Sequence, residues 1–451
     1  MKNLFAIGLV LVASVAFAEA KIDRVLVRQQ WPWSSQVRVD YEVSGAASEG
    51  VNLDVQVKAG DKTLDTAAVN AAMVGGDIYG VKNGYGFLAF DPLLAFGSEF
   101  ATREITVKLT VANTPVPAFL DRVEYRIFDL ETGKVEDLTR RDFYSRRGEL
   151  GSFTTDYASV GSGFQSALGP NETFIWTGVS DNEEYKTKKL VMKRIYSAGK
   201  TFYMGPPDDT PISVGAYVQT RFQVQFTKDF YIGVFELTQG QNLLITGTNA
   251  AYFAKAGLAH PMEGQNRQTI LKGNEGFCKM ATARFPGHTL TFPSEAQWEF
   301  AAKAGYDGTG LPNGKEATPA NFAELEGYSS GRGSTDPNAV DYPHYKVGIG
   351  LPNAYGLYNT LGNVSEMPRD EVRKNLLDYY TNTRHLTQPF VDPENTHGSD
   401  VGATAYPFKG GDFFSAPSIH PYYRYGYVPH QATNQGGCPG TFGCRVMCSA
   451  E

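Results

Sequence analysis

The side chains best placed to do chemistry lie in one loop. Between residues 353 and 366 the chain reads Asn353-Ala-Tyr-Gly-Leu-Tyr-Asn-Thr-Leu-Gly-Asn-Val-Ser-Glu366. Asn359, Asn363 and Glu366 place two side-chain amides and a carboxylate within eight residues, and Gly362 lets the backbone turn its carbonyls inward. Calcium takes about six to eight oxygens and tolerates mixed carboxylate, amide and backbone donors. Taken alone, the same residues describe an ordinary turn whose asparagines bond their own backbone. A second chemistry would be sulfur-based. Cys438 and Cys444 are spaced so that two sulfurs could meet, while Cys278 and Cys448 stand further off. Four cysteines allow three pairings, and their spacing does not choose among them.

Other familiar constellations are missing. The seven histidines (His260, His288, His344, His385, His397, His420 and His430) form no HExxH or paired metal spacing. His420 and His430 read as exposed loop residues. Glu295 and Glu299 stand at i and i+4 of one helix, which describes a solvated face or a structural contact before an acid–base pair. No Walker loop, Gly-x-Ser-x-Gly elbow or Rossmann fingerprint occurs.

These groups need a scaffold, and the chain is long enough for two domains. Its 451 residues exceed the size at which single cores stop growing. A formal net charge of −7 excludes the basic footprint of a nucleic-acid binder. Residues 1–20 read as a secretory signal: Lys2, an apolar run over 4–15, then small residues at Ala16, Ala18 and Ala20. That run is shorter than the ~20 residues a membrane span needs, and no later segment is apolar enough to span. The expectation is an exported chain, periplasmic or extracellular, in which disulfides persist. From 21 to 147 the pattern has period two, as in Val37, Val39, Tyr41 and Val43 alternating with Arg38, Asp40 and Glu42. It predicts an antiparallel β-sandwich. A polar connector follows over 148–187, then a second domain over 188–451. Its clearest helix begins with a Ser294/Gln297 capping box and ends at Gly305 as C-cap.

Five separated motifs resemble one family in the same order. They are Phe202-Tyr-Met-Gly205, Phe235-Glu-Leu-Thr-Gln-Gly-Gln241, Thr291-Phe-Pro-Ser-Glu-Ala-Gln-Trp-Glu-Phe-Ala-Ala302 and the 353–366 loop. The fifth is Gly410-Gly411 with Tyr423-Arg-Tyr425 and Gly443-Cys-Arg-Val446. Together they resemble the formylglycine-generating enzyme, or sulfatase-modifying factor, family. The resemblance implies an α+β fold: a loop-rich, C-type-lectin-like mixed α/β domain preceded here by the β-sandwich.

It also implies sites. The Asn359 side chain, the Gly362 and Val364 carbonyls and the Glu366 carboxylate would ligate a structural calcium. Asn321, the Phe322 carbonyl and Asp341 would form a second calcium site, although the spacing around Asp341 departs from the family. Active members bind copper through two thiolates and oxidise a substrate cysteine. Following the Gly-Gly pair, Ser415 stands at the first cysteine position and Tyr422, in the stretch 420–422, near the second. Copper(I) is soft and wants thiolates, so copper and the family oxidation are not expected here. Family members often bond the cysteine before the capped helix to the C-terminal strand. That gives Cys278–Cys448, with Cys438–Cys444 as the remaining pair.

The expected function is ligand binding in the former groove, lined by Phe414, Tyr422, Tyr423, Arg424 and Tyr425, with Tyr422 on the surface. A peptide, a glycan or an envelope protein would be the partner, because aromatic rings offer large contact area at small entropic cost. The competing expectation is an oxidase that uses Cys438 and Cys444 as a relocated thiol site.

Overall fold

A computed structural model describes residues 19–29, 34–97, 99–102, 104–114, 116, 118–155, 173–207, 212–214, 217–219, 221–264, 276–308, 311, 315, 318, 320–321, 342–371, 389–394, 406–413, 420–423, 425–427 and 439–450. The chain is α+β and divides into two compact units. The expected signal segment, apart from its last two residues, lies outside the described residues. Among them, no helix is long and apolar enough to cross a membrane.

The first unit comprises the described parts of 1–122 and 140–149. Lys21–Gln29, Val37–Ser44, Gly84–Phe90 and Met73–Gly76 form a four-stranded antiparallel sheet in that order. Lys62–Leu64, Leu53–Ala59 and Ile105–Val111 form a second sheet of three. The alternation predicted from sequence is what builds the core. Val37, Val39, Tyr41 and Val43 from one sheet meet Leu53, Val55, Val57 and Leu109 from the other. This is a β-sandwich, with Arg38, Asp40 and Glu42 turned away from that core.

The second unit holds Val123–Thr139 together with 150–451. Here the expected boundary at 147 moves. The hairpin of Val123–Asp129 and Val135–Thr139 pairs with Lys189–Ile195, and so extends the sheet of the second unit. The reason lies in its burial: Tyr125, Ile127 and Phe128 are all buried, so neighbouring side chains on both faces are covered. A strand of a one-sided sheet would not read that way. The expected polar connector is corrected for the same reason. Phe174, Ile175, Trp176 and Val179 are fully buried, and the Trp176 indole Nε1 donates to the Leu150 carbonyl at 2.6 Å.

The central sheet has six strands, in the order Leu290–Thr291, Met447–Ser449, Phe230–Gly233, Lys189–Ile195, Val123–Asp129 and Val135–Thr139. Tyr231 enters one hydrophobic cluster while Phe230 and Ile232 enter another, so this sheet is packed on both sides. Around it, short helices and loops do most of the positioning. The Gln239–Thr246 helix is opened by a Thr238/Gln241 capping box, and the Glu295–Lys303 helix by the Ser294/Gln297 box that the sequence predicts. Its C-cap falls one residue earlier than expected. Ala304 takes the left-handed conformation at φ 47°, and Gly305 continues it at φ 84°.

Candidate functional site

The 353–366 loop is folded by the residue types that make it conspicuous. Gly356 and Gly362 adopt positive φ, and Asn359 and Asn363 do so at 55° and 53°. Asparagine enters this region more readily than other side chains because it can bond locally. Asn353 ties the loop to the preceding helix: its Nδ2 donates to the Ala301 and Ala302 carbonyls, and its Oδ1 accepts from the Tyr355 and Leu357 N–H groups. Asn359 Oδ1 accepts from Gly348 N at 2.8 Å. Asn363 Oδ1 accepts from Tyr345 N, and its Nδ2 donates to the buried Glu236 carboxylate at 2.6 Å.

Glu366, the one charged member of the expected calcium set, is held elsewhere. Arg445 Nε donates to both of its oxygens at 3.0 and 3.1 Å, and Arg445 Nη2 donates to Oε1 at 2.7 Å. Trp298 Nε1 donates to Oε2 at 2.7 Å. A carboxylate offers about four lone-pair sites, and these contacts occupy them. The rest of the Arg445 guanidinium donates to the carbonyls of Gly233, Val234, Tyr358 and Asn359. All of this is buried. A guanidinium therefore sits where the Glu366 carboxylate and the Tyr358 and Asn359 carbonyls converge. In this arrangement the only charged donor of the calcium set expected from Asn359, Gly362, Val364 and Glu366, the Glu366 carboxylate, is engaged by Arg445 and Trp298. Of the second set, Asn321 is half-buried with its N–H donated to Thr318 Oγ1; Phe322 and Asp341 lie outside the described residues.

Glu236 completes a buried group of two carboxylates and one guanidinium. Burial first, then the nearby Glu366 charge, pushes its carboxyl well above the usual range. Arg445 and the bonds from Asn363 and Val364 N oppose that shift without cancelling it.

Beside the loop runs the segment that leads to the expected groove. Lys409 pairs with Glu366 through both backbone groups. Its buried Nζ lies 3.0 Å from Glu299 and 3.8 Å from Glu295. Lys303 Nζ is 3.2 Å from the other Glu299 oxygen, which also accepts from Gly205 N. Glu295 and Glu299 are thus buried charge partners rather than a solvated face. His420 is buried too, stacked on Tyr422 at 4.8 Å and 7°, with Tyr423 edge-on to both. Tyr422 is 5% exposed and so belongs to the packing, contrary to the expected surface position. Tyr423 is half-buried. Phe414, Ser415 and Arg424 lie outside the described residues, as does the Tyr425 side chain. The strand Tyr425–Tyr427 pairs with Tyr406–Phe408.

Cys278 and Cys444 are buried free thiols, so the Cys278–Cys448 bond is not formed in this structure. Burial raises both thiols, and Cys278 adds to the effect at Cys444. Cys438 lies outside the described residues. What the sequence reading missed is the set of partners: Arg445, Trp298, Glu236 and Lys409. Arg445 and Glu236 stood inside recognised motifs without a role. A conspicuous carboxylate in one motif and a lone arginine in another were the available signal.

A second buried group lies nearby. His260 Nδ1 and His344 Nδ1 are 2.9 Å apart, and His344 Nε2 is 3.7 Å from Glu263. Burial, then His344 and Lys346, pushes His260 down to about 3. The folded protein resists a proton that the unfolded chain takes up near pH 6.5. Stability is therefore full above about pH 6.5 and falls as pH drops towards about 3. The urea midpoint should decline over that window, and His260→Gln should flatten the decline. An unchanged acid limb in the variant would remove His260 as its source.

Residues 181–448 match the model of the sulfatase-modifying factor enzyme 1-like domain. The chain belongs to that family. It is 32% identical over 154 residues to the formylglycine-generating enzyme of Streptomyces coelicolor, covering 32% of this chain and 42% of that protein. With the enzyme of Thermomonospora curvata it shares 32% identity over 146 residues, covering 32% of this chain and 45% of that one. The alignments thus span less than half the length of either relative. Among solved structures, Treponema denticola variable protein 1 aligns at TM-score 0.42 and 19% identity, covering 58% of this chain and 96% of its own. PvdO from Pseudomonas aeruginosa aligns at 0.38 and 18%, covering 58% and 95%.

Proposed function

We propose that this chain is an exported, ligand-binding member of its family, which holds a peptide or glycan in the former groove and does not perform the copper-dependent oxidation. One observation carries the reading: the stretch 410–427, where the resemblance places both copper ligands, contains no cysteine. Serine and tyrosine stay protonated at neutral pH and are hard donors, so they do not replace two thiolates. A relocated site gains no support from Cys444. Its thiol is fully buried and shifted away from the thiolate that would bind copper(I).

Tyr423 is the residue to test, since Tyr422 is packed and Tyr423 keeps part of its ring in solvent. Panning against peptide and glycan libraries should yield a ligand whose capture is lost in Tyr423→Ala with no change in the denaturation midpoint. Tyr422→Ala should instead cost about 3 kcal/mol, in the range for truncating a buried aromatic side chain. Capture unaffected by Tyr423→Ala would remove the groove from the proposal.

A further inference from the structure

The outer face of the four-stranded sheet in the first unit is built unlike a plain solvated surface. Its register sets Arg24 opposite Glu42, Leu26 opposite Asp40 and Arg28 opposite Arg38. The next strand adds Tyr85 opposite Glu42 and Phe87 opposite Asp40. Arg24, Leu26, Arg28, Arg38, Tyr85 and Phe87 line a cavity of about 340 Å³, together with Asp40. That volume is at the lower end of the range for small-molecule sites.

Two features of this face oppose stability and favour a ligand. Like charges directly opposite one another on antiparallel strands are destabilising, and Arg28 and Arg38 are such a pair. Tyr85 leaves a large ring 80% exposed in the interior of a strand. Arg38 is nonetheless held in place. The Arg38 Nε donates to Asp40 Oδ1 at 2.9 Å, and the Arg28 Nε lies 3.0 Å from Asp40 Oδ2 as an ion pair without hydrogen-bond geometry. The Arg38 guanidinium also lies 3.8 Å over the Phe87 ring. The Arg38 fork is held through Nε and the Phe87 ring, so its Nη groups remain outside the Asp40 pairing, and Arg28 stands beside it. A pinned fork binds a carboxylate bidentately with little further loss of freedom.

We infer that this face binds a carboxylated glycan, with the sugar carboxylate on the Arg28 and Arg38 forks and a sugar ring against Tyr85. Three arginines against one lining aspartate, on a chain of net charge −7, select an anion. The groups that would recognise it stand on the face of the sheet. An acidic peptide added as a strand would instead use the backbone of the edge.

The test is calorimetric titration of the full mature chain with an oligogalacturonate, a neutral galactan oligomer of equal length and poly-glutamate. The oligogalacturonate should bind saturably and more weakly as salt rises, and the neutral oligomer should not bind. Arg38→Ala and Tyr85→Ala should each weaken binding at least about tenfold. Tyr85→Ala should leave the denaturation midpoint unchanged, since its side chain stands exposed on the outer face, and Arg38→Ala, which gives up the Asp40 and Phe87 contacts, is read on protein whose circular dichroism matches the parent's. Tyr423→Ala should bind as the parent does, which separates this site from the groove. No binding, equal binding to poly-glutamate, or binding that survives Arg38→Ala would each overturn the inference.

Discussion

Arg445→Ala should destabilise the second unit by about 3–5 kcal/mol, the usual cost of removing one partner of a buried ion pair. The substitution strands the buried Glu366 carboxylate, removes the positive charge nearest Glu236 and takes the guanidinium from four carbonyls. Against a typical total of about 5–15 kcal/mol this is a large share. Arg445→Lys keeps the charge but has three N–H donors where arginine has five, so it should recover only part of the loss. Where Arg445 is the cation that Glu366 keeps, a chelator should leave the parent's melting temperature unchanged. Urea midpoints for the three proteins, with and without EDTA, check both statements. A melt that falls in EDTA and returns with calcium would show that the ion displaces Arg445 from Glu366.

Lys409→Met should cost about 3 kcal/mol or more, although it preserves most of the side-chain volume. Lys409 is fully buried and supplies the positive charge between Glu299 and Glu295, with its Nζ 5.7 Å from the centre of the Trp298 ring. Without it, the carboxylates keep their desolvation cost and lose the compensating charge. Lys303 still reaches Glu299 and limits the damage. Adding Glu299→Gln to Lys409→Met should therefore restore part of the loss, since the amide oxygen introduced by that substitution can still accept from Gly205 N. Additive destabilisation of the two substitutions would show that the pair is not coupled.

Sequence was most legible where local rules decide the outcome. Period-two alternation in Val37, Val39, Tyr41 and Val43 identified the strand and its buried face, and Ser294 with Gln297 identified a helix start. The loop at 353–366 was visible because asparagine and glycine are the residues that turns demand. Its chemistry was less visible. Glu366 and its partner Arg445 are 79 residues apart, and Lys409 is 110 residues from Glu299. Nothing local distinguishes a carboxylate awaiting a metal ion from one already held by a guanidinium. Tyr422 and Tyr423 are adjacent and chemically identical, so only the stacking on His420 separates the packed ring from the accessible one. Residues 123–139 fall within the span 21–147 expected as the sandwich, yet their hairpin completes the other sheet, because sequence pattern does not say which sheet a strand joins.

The most direct test of the account loads the purified protein with copper(I) and offers a Cys-x-Pro-x-Arg peptide in air. Thiol-to-aldehyde conversion is followed by mass spectrometry against a copper-free control. The account predicts that no copper survives desalting and that the peptide mass is unchanged. Conversion above the control would contradict it and make Cys438 and Cys444 the first residues to substitute.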